Sequence, residues 1–108
     1  MDNPIVSTKI RGVRPSGERI EIELLIGKPY LNQSEPREQW RCPVSFKPLY
    51  NSEMNLAGAD PLQALCIAIQ IGVSQLQSFK DHGGQLLHDD GTELSLEAYD
   101  LSNGPDNA

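Results

Sequence analysis

The side chains able to do chemistry in this 108-residue chain cluster near its C-terminal end: His82, His88, Asp89 and Asp90. Two imidazoles and two carboxylates could ligate a metal ion or serve as base and orienting acid, so a small hydrolase or metal enzyme built on His82, His88 and Asp89 is one reading. Their spacing argues against it. His82 and His88 match no His-Glu-x-x-His pattern, and Asp89-Asp90-Gly91 is ordinary turn chemistry. Glu21 and Glu23 share a strand face, as paired carboxylates do in some hydrolases, but they fall opposite Arg11 and Lys9 and read as a wet charge ladder. The two cysteines, Cys42 and Cys66, lack CxxC spacing and read as buried small hydrophobes. Gly12, Gly27, Gly58, Gly83 and Gly84 form no phosphate-cradling motif. No catalytic residue, metal site or cofactor is assigned.

Charge is more informative. Net charge is −6, with 38% hydrophobic, 22% charged and 6% aromatic residues. Residues 1–47 carry eight Lys and Arg against six Asp and Glu; residues 48–108 carry only Lys80 against nine acids. An acidic surface with few aromatics disfavours nucleic acid and anionic membranes and favours encounter with a basic protein. No uninterrupted apolar run approaches the ~18 residues of a membrane span. Met1-Asp2-Asn3-Pro4 lacks the basic start and apolar core of a signal peptide, so a cytoplasmic location is expected.

The elements that must position these residues follow from periodicity. Val6, Thr8 and Ile10 alternate with Ser7, Lys9 and Arg11, and Ile20, Ile22, Leu24 and Ile26 with Arg19, Glu21 and Glu23, around the turn Arg14-Pro15-Ser16-Gly17. Only a three-residue loop sets Ile10 against Ile22 and Thr8 against Leu24. A two-residue loop would put Ile10 opposite Glu21 and split the apolar face. A third strand has Trp40, Cys42, Val44 and Phe46 on one side. Pro43 lacks an N–H, which confines that strand to a sheet edge or a bulge. Residues 31–38 and 48–59 read as connections, the latter lying down on the domain.

Asp60 as N-cap, Pro61 at the first helical position and Gln63 form a capping-box start, and Gly83-Gly84 ends the helix. No charge occurs from Pro61 to Phe79. The large residues Leu62, Leu65, Cys66, Ile69, Val73, Leu76 and Phe79 share one side, which is expected to pack on the sheet. Ala64, Ile67, Ala68 and Ile71 lie roughly opposite, an uncharged patch for a partner. Gln85–His88 and Thr92–Leu101 read as a closing hairpin around Asp89-Asp90-Gly91, with Leu86 opposite Leu94. Residues 102–108 read as a disordered tail after a single domain spanning 1–101.

Gly27-Lys28-Pro29-Tyr30, Trp40-Arg41-Cys42-Pro43 and Gly58-Ala59-Asp60-Pro61-Leu62-Gln63-Ala64-Leu65 resemble an uncharacterised family of small bacterial domains, with a Trp-x-Cys-Pro strand followed by an Asp-x-x-Gln-Ala-Leu helix. The likeness covers roughly residues 18–80. It implies a bacterial source and a compact α+β domain, and transfers no catalytic residue.

The expected fold is α+β, in the order β-β-β-α-β-β: an antiparallel sheet, favoured as a 3-2-1 meander joined or flanked by the last hairpin, with one long helix across one face. The expected function is a non-catalytic protein-interaction domain, such as an inhibitor or immunity-type partner of a basic protein. Its contacts would be the helix patch Ala64, Ile67, Ala68 and Ile71 and the acidic residues Asp89, Asp90, Glu93 and Glu97. A homodimer using the helix patch is the main alternative.

Overall fold

Alternation and turn chemistry build the first hairpin as predicted. In the computed structural model, which describes residues 1, 3–33 and 39–99, β1 (Val6–Val13) and β2 (Arg19–Ile26) pair antiparallel with Ile10 opposite Ile22 and Thr8 opposite Leu24. Arg14 N–H donates to Glu18 O at 2.8 Å, and Gly17 takes the left-handed φ of 92° that a three-residue loop requires. The expected tail, residues 102–108, lies outside the described residues, as do residues 34–38.

The chain continues through β3 (Tyr30–Asn32), β4 (Gln39–Lys47), β5 (Tyr50–Gly58), the helix α1 (Pro61–Asp81), β6 (Gln85–Leu87) and a 3-10 turn, Leu96–Tyr99. Both β2 and β3 pair with β4 while β5 runs along β4 from Trp40 to Phe46. Hence β2 and β3 share one edge of β4, with β3 prolonging β2, and the sheet reads β5-β4-β2-β1-β6. The class and the antiparallel sheet under one long helix stand as expected, and so does the meander β4-β2-β1. The element order differs: five strands precede the helix and one follows it.

Two differences have clear causes. Residues 50–58 form a strand, not a connection. It borders the sheet, and only Met54, Leu56 and Gly58 are even partly buried along it, so its alternation is weak. The strand carrying Pro43 is therefore interior and Pro43 is not at a bulge, so neither expected alternative holds: Pro43 sits beside the break between β2 and β3, where its missing N–H leaves no partner wanting. Its ring lies on Gly27, where an added Cβ would meet Pro43 Cγ at 2.5 Å, while the Cys42 thiol donates to Gly27 O at 3.4 Å. The second limb of the last hairpin is also shorter than predicted. Leu94 N–H donates to Leu86 O at 2.9 Å, which is the expected register, but pairing stops at a bridge between Leu87 and Glu93 and the chain turns into the 3-10 segment. Leu94 and Leu96 point inward, and Ala98 is exposed.

The larger difference is the rotation of α1. Its ends form as read: Asp60 Oδ1 accepts from Gln63 N–H at 2.8 Å, Gln63 Oε1 accepts from Ala59 N–H at 2.6 Å, and Gly83 and Gly84 close a Schellman motif onto Lys80 O and Phe79 O. The side buried against the sheet, however, is Ala64, Ala68, Gly72 and Leu76. Ala64 and Ala68 are 0% exposed, so they belong to the core and not to a partner-binding patch. The stripe of large residues is turned by about a fifth of a turn toward the helix flank, so that Leu76 stays in the core and Leu65, Ile69 and Phe79 pack at its margin while the others move outward. Leu62 is 68% exposed there, and Cys66, Ile69 and Val73 are half-buried. Close approach explains this. Gly58 lies so near the helix that a Cβ on it would stand 2.5 Å from Ala64 N, and Gly72 rests on the Leu24 side chain. Only small residues fit that seam.

Gly58→Ala is therefore expected to cost roughly 2–3 kcal/mol, because backbone is what it strikes. Gly72→Ala should stay within about 1 kcal/mol of wild type, since the Leu24 methyl can give way and alanine favours the helix. Urea denaturation ranks them; equal losses at the two sites would contradict this packing.

Candidate functional site

The carboxylates of the last hairpin are placed by its turn. Asp90 Oδ1 accepts from Thr92 Oγ1 at 2.6 Å and from Thr92 N–H at 2.9 Å, and these bonds hold the Asp90 carboxyl below the usual aspartate range. Its first role is thus to lock the Asp89-Asp90-Gly91 loop. Asp89, Glu93 and Glu97 are exposed, with Glu93 Oε1 4.0 Å from Lys80 Nζ.

Of the histidines, His88 stands near Asp90, where its charge favours the ionised carboxylate. The Ser78 carbonyl can only accept, so His82 Nδ1 donates to it at 2.7 Å, which spends that ring nitrogen on capping α1. His88 is exposed on the β6 turn. Among the described residues no group of three His, Cys, Asp or Glu side chains is arranged to hold a metal ion. That leaves the hydrolase reading on His82, His88 and Asp89 without a metal-holding group among the described residues. Cys42 is fully buried and burial pushes its thiol up, the opposite of what a nucleophile needs. Glu21 and Glu23 face Arg11 and Lys9 across the strands, with Lys9 Nζ 3.8 Å from Glu21 Oε1.

What the rotated helix creates is a groove. Between the outer flank of α1 and the 3-10 turn lies a cleft of about 530 Å³ with Ile69, Val73 and Leu96 as apolar lining. Gln70, Ser74, Gln77, Lys80, Ser95, Glu97 and Tyr99 complete its wall. Glu97 is in the groove and Glu93 stands beside its Lys80, so two of the predicted acidic contacts border one concave surface. Asp89 and Asp90 sit beyond it on the turn. Ile67 and Ile71 are half-buried on the other flank of α1, with Ile71 packed on the core cluster of Cys42, Val44 and Phe46. The four helix positions expected to share a patch are thereby split between core and flank, and none lines the groove. Ile69 and Val73 were hidden in the sequence by their hydrophobicity, which assigned them to the side packed on the sheet. The signal that could have found them is Ala64, Ala68 and Gly72 at spacing four, a line of small residues marking the side of closest approach.

By length and composition α1 is also apolar enough to cross a membrane; here it lies on the sheet. The family model of a domain of unknown function, DUF6968, matches residues 11–97. No curated protein and no solved structure matches the chain.

Because the folded-state pKa of Asp90 is depressed, its contribution to stability is present above the ordinary aspartate value of 3.8 and is lost as pH falls through its lower native midpoint. A carboxyl NMR titration should give Asp90 the lower midpoint, returning toward the ordinary value in Thr92→Val. An unshifted Asp90 in the wild-type chain would contradict the turn geometry.

Proposed function

The chain belongs to the DUF6968 family, and from that premise we propose that it is a non-catalytic protein-interaction domain that takes a basic, apolar-bearing segment of another protein into the α1 groove. The observation that carries the reading is the placement of Ile69 and Val73: partly buried aliphatic side chains beside Leu96, in a concave surface that includes Glu97, with Glu93 reaching its Lys80. An apolar floor gives such a site its affinity, and flanking carboxylates select charge and speed encounter. The helix supports it further by carrying no charge from Pro61 to Phe79, so a partner laid along it need not desolvate a buried ion. An inhibitor or immunity-type partner of a basic bacterial protein has this surface chemistry. Catalysis is not part of the proposal.

Selection of displayed peptides against the folded chain should enrich sequences combining Lys or Arg with Leu, Ile or Phe. Val73→Asp should weaken the selected peptides by at least about tenfold, ~1.4 kcal/mol, and Glu93→Gln with Glu97→Gln should lower affinity and its salt dependence together. Peptides without basic residues, or capture indifferent to Val73→Asp, would overturn the reading.

A further inference from the structure

At the opposite side of the sheet from this groove, and independently of it, we infer that the outer edge of β5 is a homodimer interface, where two copies pair β5 to β5 antiparallel about a two-fold axis and join their sheets into one. β5 ends the sheet: its inner edge bonds β4, and among the described residues no strand pairs with its outer edge. The outward groups can be identified. Gly27 N–H donates to Pro43 O at 2.9 Å, so the backbone of residue 43 faces β2 and that of Cys42 and Val44 faces β5. Cys42 with Leu56 and Val44 with Met54 are then the bonded pairs, which leaves the N–H and C=O of Asn55 and Ala57 directed outward.

Sheet edges that must stay single are guarded by Lys, Pro or inward-pointing charge. β5 contains no Lys, Arg or Pro, and its one charge, Glu53, lies 3.9 Å from the N-terminal ammonium. The irregularity in the β4–β5 ladder falls between Val44 and Phe46, so the stretch from Met54 to Gly58 remains regular and open.

Charge selects a second copy as the occupant. A chain of net charge −6 repels itself, but Asp89, Asp90, Glu93 and Glu97 follow β6, at the other end of the strand order. Joining two chains through β5 sets these acidic ends as far apart as a dimer allows, while the nearly neutral edge offers a charged partner nothing. Antiparallel pairing is also self-complementary, because the outward N–H and C=O of one residue bond those of its opposite number. Centred on Asn55, the pairing puts Glu53 opposite Ala57 of the other copy, which separates the two carboxylates. Met54 then lies opposite Leu56 on the helix side, and both are only half-buried in a single chain. Ile67 and Ile71, on the flank of α1 away from the 3-10 turn, stand on the same side.

Sedimentation equilibrium of the full chain at high micromolar concentration should give twice the 11.9 kDa chain mass. Ala57→Lys places a charge in the joined sheet; Asn55→Pro removes an outward N–H without touching the β4 ladder. Each should return a single-chain mass with an unchanged circular dichroism spectrum, and if Asn55→Pro disturbs the fold, Ala57→Lys decides. Glu93→Gln, at the far edge, should stay dimeric. A wild-type chain that sediments as one copy, or a dimer that survives in folded Ala57→Lys, would overturn the inference.

Discussion

The contact on which the rest of this molecule depends is the close seam between α1 and the sheet, where Ala64 meets Gly58, Gly72 meets the side chain of Leu24, and Ala68 is buried on the same side of the helix. A helix docked through leucines stands farther off, and its large residues then fill the gap. Here the backbones come close enough that a single added Cβ collides, and burial is governed by how much room is left and not by how much apolar surface a side chain offers. The consequence is a mixed interface: Ala64, Ala68 and Gly72 are inside together with Leu76, while Leu62 is exposed and Cys66 and Val73 are left on the flank. The sheet beneath is filled instead from its own strands, by Ile10, Ile22, Ile26, Cys42, Val44 and Phe46.

Close packing also explains the short stretches that carry the family resemblance. Gly27 accepts the ring of Pro43 and the thiol of Cys42; Gly58 accepts the first turn of α1; Asp60 and Gln63 close that turn on each other. These residues hold β2, β4, β5 and α1 in place. They are architecture, which is why no chemistry could be read from them.

How much the sequence revealed divides along physical lines. Features set by local rules were legible: the register of the first hairpin from the parity of its loop, the pairing of Leu86 with Leu94 across the last, and both ends of the helix from Asp60, Gln63 and Gly83-Gly84. Features set by what packs against what were not. β5 was obscured because an edge strand with one face on a core needs few apolar residues, and its Asn and Ser residues imitate a loop. The helix face was misjudged because a hydrophobic pattern ranks residues by size, whereas a tight seam ranks them by how little space they need. Of the candidate site, the acidic residues were found and the apolar lining was not, for that same reason.

Together these features give a domain with two unlike margins. One carries the acids and the groove, suited to a basic partner; the other is a nearly neutral open strand, suited to a copy of itself. The groove follows from the orientation of α1, and the most direct test of that orientation is thiol reactivity. Cys66 lies on the flank that the seam leaves half in solvent, and Cys42 is fully buried in the sheet. Ellman's reagent on the native chain should titrate one thiol promptly, lost in Cys66→Ser and retained in Cys42→Ser, with the second released only on unfolding. Protection of both thiols in the native chain would place the large residues of α1 against the sheet and contradict the account.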